Sequence, residues 1–271
     1  MLYLIRNLLT KLQLNTMIKF FRKIRQQLLN ENKTRKYLKY AVGEIILVMI
    51  VILLALQVNN WNENRKKEVI EIQFLKRLVN DLASDTLYFT DRIKVSNDII
   101  ANNYKYIHQA YEEIKNMEDF QELVSLFNWN STHFVCQNST YLELLNAGQL
   151  NIFKNIELKV DIITLYKDYE IDASHIKEFN NYSTASLEKA QITNFTKYWK
   201  HSSDLFDEPY MFKETEWQFI NNPSSDKFRR LEITANTYYF KHKYFRDYYV
   251  DLKEKATILI NDIERELENR N

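Results

Sequence analysis

Residues 41–58 read AVGEIILVMIVILLALQV, and the reading of these eighteen residues decides the fold. They carry one charge, Glu44, and one amide, Gln57. At the rise of an α-helix the stretch spans about 27 Å, close to the hydrocarbon thickness of a bilayer. Residues 45–56 are apolar on every face, whereas a helix in a soluble protein needs only one apolar stripe. Tyr37 and Tyr40 stand before the stretch and Trp61 behind it, as the aromatic belts of a membrane interface would. The pattern predicts a transmembrane helix over 38–60.

Charge then orients the span. Residues 17–40 hold eight basic side chains, Lys19, Arg22, Lys23, Arg25, Lys33, Arg35, Lys36 and Lys39, against Glu31 alone. The net charge of the whole chain is only +1, so the long C-terminal part beyond the span is acidic on balance. Basic residues collect on the cytoplasmic side of single spans, which puts residues 1–37 in the cytoplasm and the remainder outside. No small-x-small cleavage site follows the apolar run, so an uncleaved signal anchor is expected. Met17, Phe21, Ile24 and Leu28 fall at helical spacing, with Arg22, Lys23 and Arg25 largely off that stripe. This suits a short amphipathic helix on anionic lipid; the alternative is that the charges serve topology alone. Glu44 either contacts a partner inside the membrane or snorkels to the headgroups one turn away.

Composition constrains the rest. The chain has 2 Gly and 2 Pro but 18 Tyr and 16 Phe. So few residues that accept positive φ or break helices argue for long helices and few turns. A phosphate-cradling glycine loop is excluded, because two glycines cannot supply one. The expected class is all-α, with an antiparallel helical bundle over 61–271 outside the membrane.

The stretch MIKFFRKIRQQLLNENKTRKYLKYAVGEIILVMIVILLALQVNNWNENRK, starting at Met17, resembles the opening of a domain-of-unknown-function family of single-pass membrane proteins from Bacteroidota. Its most specific marks are Gly43-Glu44 at the start of the span and ALQVNNWNE, 55–63, at its end. Residues 144–158, LLNAGQLNIFKNIEL, resemble a turn region of that family. The resemblance implies a Gram-negative inner membrane, a periplasmic C-terminal domain and coverage from Met17 to the C-terminus. It carries no activity, substrate or catalytic residue. Residues 1–16 depart from the family pattern, and translation is expected to start at Met17.

Beyond the span, apolar positions advance in steps of three and four: Ile72, Leu75, Val79, Leu82, Thr86, Phe89, Ile93, Ser96, Ile100, Tyr104, Ile107, Tyr111 and Ile114. This coiled-coil-like repeat predicts a long amphipathic helix leaving the membrane, interrupted by polar Thr86 and Ser96. Residues 118–127 suit a short helix. Thr140 and Glu143 have capping-box spacing for another, which would end at Ala147 before Gly148. Asn155 is placed to cap a helix with the stripe Leu158, Ile162, Leu165, Tyr169, Asp172, Ile176 and Phe179, running to about residue 199. After a loop near 201–222, Pro223 and Ser224 announce a last helix. Its stripe is Phe228, Leu231, Ala235, Tyr238, His242, Phe245, Tyr249, Leu252, Ala256, Leu259 and Ile263.

Catalytic chemistry is sparse. Neither a zinc-binding His/Cys spacing nor a nucleophile elbow occurs, and no catalytic, cofactor-binding or metal residue is expected. Asp172, His175 and Glu178 share a helix face but make only one imperfect Asp-x-x-His. His242 reads as a satisfied core histidine. Cys136, the sole cysteine, is either buried or able to link two chains. In the aromatic run 238–249, Tyr239, Phe240, Tyr244 and Tyr248 exceed one core stripe and are candidate partner contacts, since Tyr and Phe are enriched at interfaces. The expected role is therefore non-enzymatic, without cofactor or nucleic acid. It is a protein-interaction or scaffold module that binds a partner or itself, or alternatively a small-ligand sensory module acting through a membrane partner.

Overall fold

The computed structural model describes residues 19, 22–23, 26, 34–190 and 217–270. Among these, the chain forms five α-helices and no strand: α1 Thr34–Gln109, α2 Met117–Leu126, α3 Ser139–Asn146, α4 Ile156–Ala190 and α5 Asp226–Glu268. Short 3-10 turns cover Gln149–Ile152 and Gln218–Asn221. The second lies inside the stretch expected to be loop. The amphipathic stripe Met17–Phe21–Ile24–Leu28 and the extension of α4 towards residue 199 lie outside the described residues.

The chain divides into two compact units, Met1–Glu68 and Val69–Asn271, and α1 contributes to both. In the first unit α1 contains the one described helix long and apolar enough to cross a membrane. Its most apolar window has a mean hydropathy of 2.7, and none of it is buried.

The second unit is a bundle of α4, α5 and the part of α1 beyond Val69. Pairs between α4 and α5 run in opposite senses: Asn155 bonds Glu266, Asp168 pairs with Lys255, and Phe179 meets Phe245. Likewise Glu71 meets Arg270, Phe89 meets Tyr249 and Tyr111 meets Phe228. Helix α5 is therefore antiparallel to both, and α1 and α4 are parallel to each other. All eleven stripe positions expected on α5 are buried. At the centre the Phe89 ring lies 5.9 Å from Tyr249, 5.6 Å from Tyr169 and 5.9 Å from Phe134, the offset and edge-on distances that aromatic quadrupoles favour. A second core joins the end of α1 to α2, Trp217, Ile220 and the start of α5.

Two parallel helices joined in sequence need a return path, and residues 127–138 supply it as an extended strap. It descends α1 in steps: Asn128 faces Asn103, His133 faces Tyr88, Gln137 faces Asp85 and Thr140 faces Asp81. Such a segment has no ladder to pair its backbone, so side chains must do so. Asn103 both donates to the Asn128 carbonyl (2.9 Å) and accepts its N–H (3.0 Å). Asn180 donates to the Thr132 carbonyl at 2.9 Å, and Asp85 accepts the Gln137 N–H at 2.7 Å.

This corrects the expected seam of α1. Leu75, Leu82, Phe89, Ser96 and, just beyond α1, Ile114 are buried as expected, but their companions are Glu71, Phe74, Leu78, Asp85, Ile99, Asn103, Tyr106 and Ala110. Ile72, Val79, Ile93, Ile100 and Ile107 are only partly buried, and Tyr104 and Tyr111 are exposed. The face turned inward combines large apolar side chains with the polar ones that bond the strap. The capping box is a second correction. Glu143 pairs with Arg77 at 2.6 Å, the Thr140 N–H donates to Asp81, and the N-cap of α3 is Asn138, without a side-chain bond. Other local signals match: Gly148 adopts φ 63° and Asn155 accepts the Leu158 N–H. The last helix begins just after the expected Pro223-Ser224 signal, capped by Ser225, which accepts the Phe228 N–H.

Candidate functional site: an aromatic, acidic cleft

The residues expected at the membrane fall on α1 where they are described. Glu44 is half-buried and Gln57 exposed. Trp61 is exposed, with the Arg65 guanidinium 5.9 Å from its ring. Tyr37, Tyr40 and Lys36 lie within α1; Lys39, Arg22 and Lys23 are exposed; Arg25 lies outside the described residues.

The expected partner contacts on α5 divide in two. Phe240 and Tyr244, one turn apart, are each about half exposed, at 52% and 50%. Tyr239 and Tyr248 are partly buried, and Tyr248 stacks on His175 of α4 at 5.8 Å. Tyr244 also leans on α4, with its ring 5.3 Å from Phe179. Part of this aromatic excess therefore packs within the bundle.

His242 is fully buried, its Nε2 3.0 Å from the Asn130 carbonyl, and burial pushes its pKa down to about 4. Beside it Lys241, also buried, donates to Ser131 (2.9 Å) and Ser183 (3.1 Å). Desolvation lowers its pKa to about 7. Nothing in the sequence marked this lysine, because a charge amid aromatic residues reads as solvated. Asp172 lies 3.7 Å from His175. Among the described residues no group of three His, Cys, Asp or Glu is placed to hold a metal ion.

One cleft gathers groups that the sequence scattered. The strap contributes Phe134 and Cys136, α3 contributes Tyr141, and α4 contributes Tyr166, Tyr169 and Glu170, around a volume of about 370 Å³. The strap can enter this place because the N–H of Gln137 is anchored on Asp85. Tyr141 and Tyr166 stack with centroids 4.2 Å apart and planes inclined by 7°, and Tyr166 meets Tyr169 edge-on at 5.5 Å. Asp85 is buried, and desolvation raises its pKa to about 6. The buried Tyr169 hydroxyl beside it, with the Gln137 N–H, offsets part of that desolvation. Cys136 is half-buried and unpaired; burial, with Asp85 and Glu170 nearby, pushes its thiol up to about 12. It is therefore a poor nucleophile at neutral pH.

No curated protein and no solved structure matches the chain. A family match covers residues 44–201, more than half of the chain, and includes both 55–63 and 144–158. It does not reach 17–43 or α5, which the resemblance was expected to cover. The matching model describes a family of unknown function (DUF6090), and the chain belongs to that family.

Proposed function

We propose that the protein is a single-pass protein of a bacterial inner membrane that presents a helical domain to the periplasm and works by binding, not by catalysis. The observation that carries this reading is the bare apolar window of α1 beside a separate folded unit with its own core. A helix with no protein over its apolar face is stable when lipid covers it. The basic residues of 17–40 support the orientation, and the resemblance to Bacteroidota proteins supports the envelope. The partner is a protein or a second copy of the chain, and the exposed Phe240–Tyr244 turn is its first contact surface.

The test is crosslinking in native membranes, then capture of the full-length protein and mass spectrometry. A stoichiometric companion, or self-crosslinked chains, supports the reading. Monomer alone, together with monomer by light scattering over a wide concentration range, defeats it. Protease protection in spheroplasts checks the topology: residues beyond 61 must be cut from outside. A second reading, a sensory domain for a small ligand acting through a membrane partner, is favoured by the aromatic cleft.

A further inference from the structure

We infer that Ser131 is an activated nucleophile that takes up an acyl group from an ester or thioester, with Lys241 as the base that accepts its proton. This goes beyond the binding role proposed above and is compatible with it, since one acyl transfer to the chain requires no turnover.

The hydrogen bonds around Lys241 decide which neighbour can give it a proton. When protonated, its ammonium donates to Ser131 Oγ (2.9 Å) and Ser183 Oγ (3.1 Å), with the Asn130 carbonyl and Asn180 Oδ1 each at 3.4 Å. A neutral amine keeps two N–H groups and gains one lone pair. The two carbonyl oxygens can only accept, and Ser183 already gives its hydroxyl proton to the Asn180 carbonyl at 3.0 Å. Ser131 is therefore the one of these four neighbours with a proton to offer, and the lone pair turns to it. A hydroxyl held on an unprotonated amine is the arrangement of serine–lysine acyl transfer.

Burial favours the neutral amine. Lys241 is 2% exposed, among the described residues no carboxylate pairs with it, and desolvation brings its pKa to about 7. Ser131 is exposed on the strap, so an acyl donor reaches Oγ from solvent while the base stays dry behind it. The strap is fixed on either side of Ser131. Asn180 donates to the Thr132 carbonyl at 2.9 Å, and His242 Nε2 lies 3.0 Å from the Asn130 carbonyl. Among the described residues the Ser131 N–H meets no acceptor, which leaves a donor beside the reacting oxygen for the charge that develops there. Ser131 Oγ attacks the carbonyl carbon, its proton passes to Lys241 Nζ, and the bond to the leaving oxygen or sulfur breaks. The leaving group takes the proton from Lys241 and departs as alcohol or thiol, and the acyl group stays as an ester on Ser131.

Full-length protein in a maltoside detergent is treated with an alkyl fluorophosphonate, which phosphonylates activated serines with loss of fluoride, and in parallel with p-nitrophenyl acetate. Peptide mass spectrometry locates the adducts, with the exposed Ser139 and Ser224 as internal references. The fluorophosphonate is expected to modify Ser131 at least about a hundredfold faster than either reference. The acetate ester should leave an acetyl group on Ser131, or release nitrophenolate at a rate that Ser131→Ala abolishes. Concentrated urea should erase the preference for Ser131, and Lys241→Met should lower it at least about tenfold.

Labelling of Ser131 no faster than that of Ser139 and Ser224 overturns the inference. A preference that survives in urea overturns it too, because it then belongs to the local sequence and not to Lys241. So does a Lys241→Met protein that keeps both a cooperative urea transition and the preference; if that variant does not fold, the urea comparison on wild type decides. Phosphonylation with neither an acetyl ester nor Ser131-dependent nitrophenolate release overturns the acyl chemistry. None of these results bears on the membrane topology or on crosslinking to a protein partner.

Discussion

Lys241 and Asp85 show at the scale of single residues what the strap demands of the core. Lys241 has hydroxyl and carbonyl partners, with its nitrogen 4.0 Å from the Tyr238 ring centroid. Its folded pKa of about 7 lies below the usual 10.5, so between those values the unfolded chain holds the extra proton. Stability must therefore climb as pH rises from 7 towards 10.5, and fall as pH drops through 7. Urea midpoints of the detergent-solubilised protein should be higher at pH 9.5 than at pH 7, and Lys241→Met should flatten the rise. A wild-type midpoint that does not move would contradict the buried environment. Asp85 acts in the opposite sense: its pKa is raised from 3.8 to about 6. Its favourable contribution is complete below 3.8 and is lost as pH rises through 6. Asp85→Asn keeps an oxygen for the Gln137 N–H and removes the charge. The variant should match wild type near pH 4 and exceed it at pH 7.5, by at most about 3 kcal/mol.

At the scale of elements, the strap behaves as a fourth member of the bundle that borrows its hydrogen bonds. Helix α1 lends Asn103, Tyr88 and Asp85, α4 lends Asn180, and α5 lends Lys241 and His242. Asn103→Ala leaves both backbone groups of Asn128 unpaired beside a buried methyl, which should cost about 2–4 kcal/mol. Urea denaturation of the variant measures that cost, and a loss below about 0.5 kcal/mol would mean that water replaces the side chain. Caps matter less. Ser225→Ala removes one acceptor from the start of α5 and should cost about 1 kcal/mol. A lone periodic stripe made α5 legible from sequence over its whole length. The seam of α1 was legible only at Leu75, Leu82, Phe89 and Ser96, because its buried face also takes in Phe74, Leu78 and Ile99 and the polar positions that the strap recruits.

On the scale of the folded unit, the last residues of the chain tie the bundle shut at one end. Arg270 Nη2 donates to Glu71 Oε1 at 2.9 Å and Nη1 lies 2.6 Å from Oε2, a contact off the hydrogen-bonding direction. Arg270 also pairs with Glu266, which accepts from Asn155, while Glu71 accepts the Lys154 N–H. The side chain of Glu71 is 1% exposed and that of Arg270 10%. Removing one member of a buried pair strands the other charge. Arg270→Ala should therefore destabilise the unit by about 3–5 kcal/mol and lower its thermal midpoint. Glu71→Gln/Arg270→Gln, which removes both charges, should recover part of the loss. A double variant no better than the single one would show that the pair is not what closes this end.

Residue types and their local order by themselves determined the apolar stretch long enough to cross a membrane, the all-α class, the eleven-position stripe of α5, and the turns at Gly148 and Asn155. Each of these depends on neighbours within a turn or two, or on the absence of glycine and proline, and so is written in consecutive residues. Tertiary structure alone decided the strap, the polar seam of α1, the failed capping box at Thr140 and the acidic aromatic cleft. Their hydrogen bonds join residues from 25 to 112 positions apart, and the Glu71–Arg270 bond spans 199. Desolvating a polar group is favourable only once its partner has arrived, and the path of the whole chain decides which partner arrives.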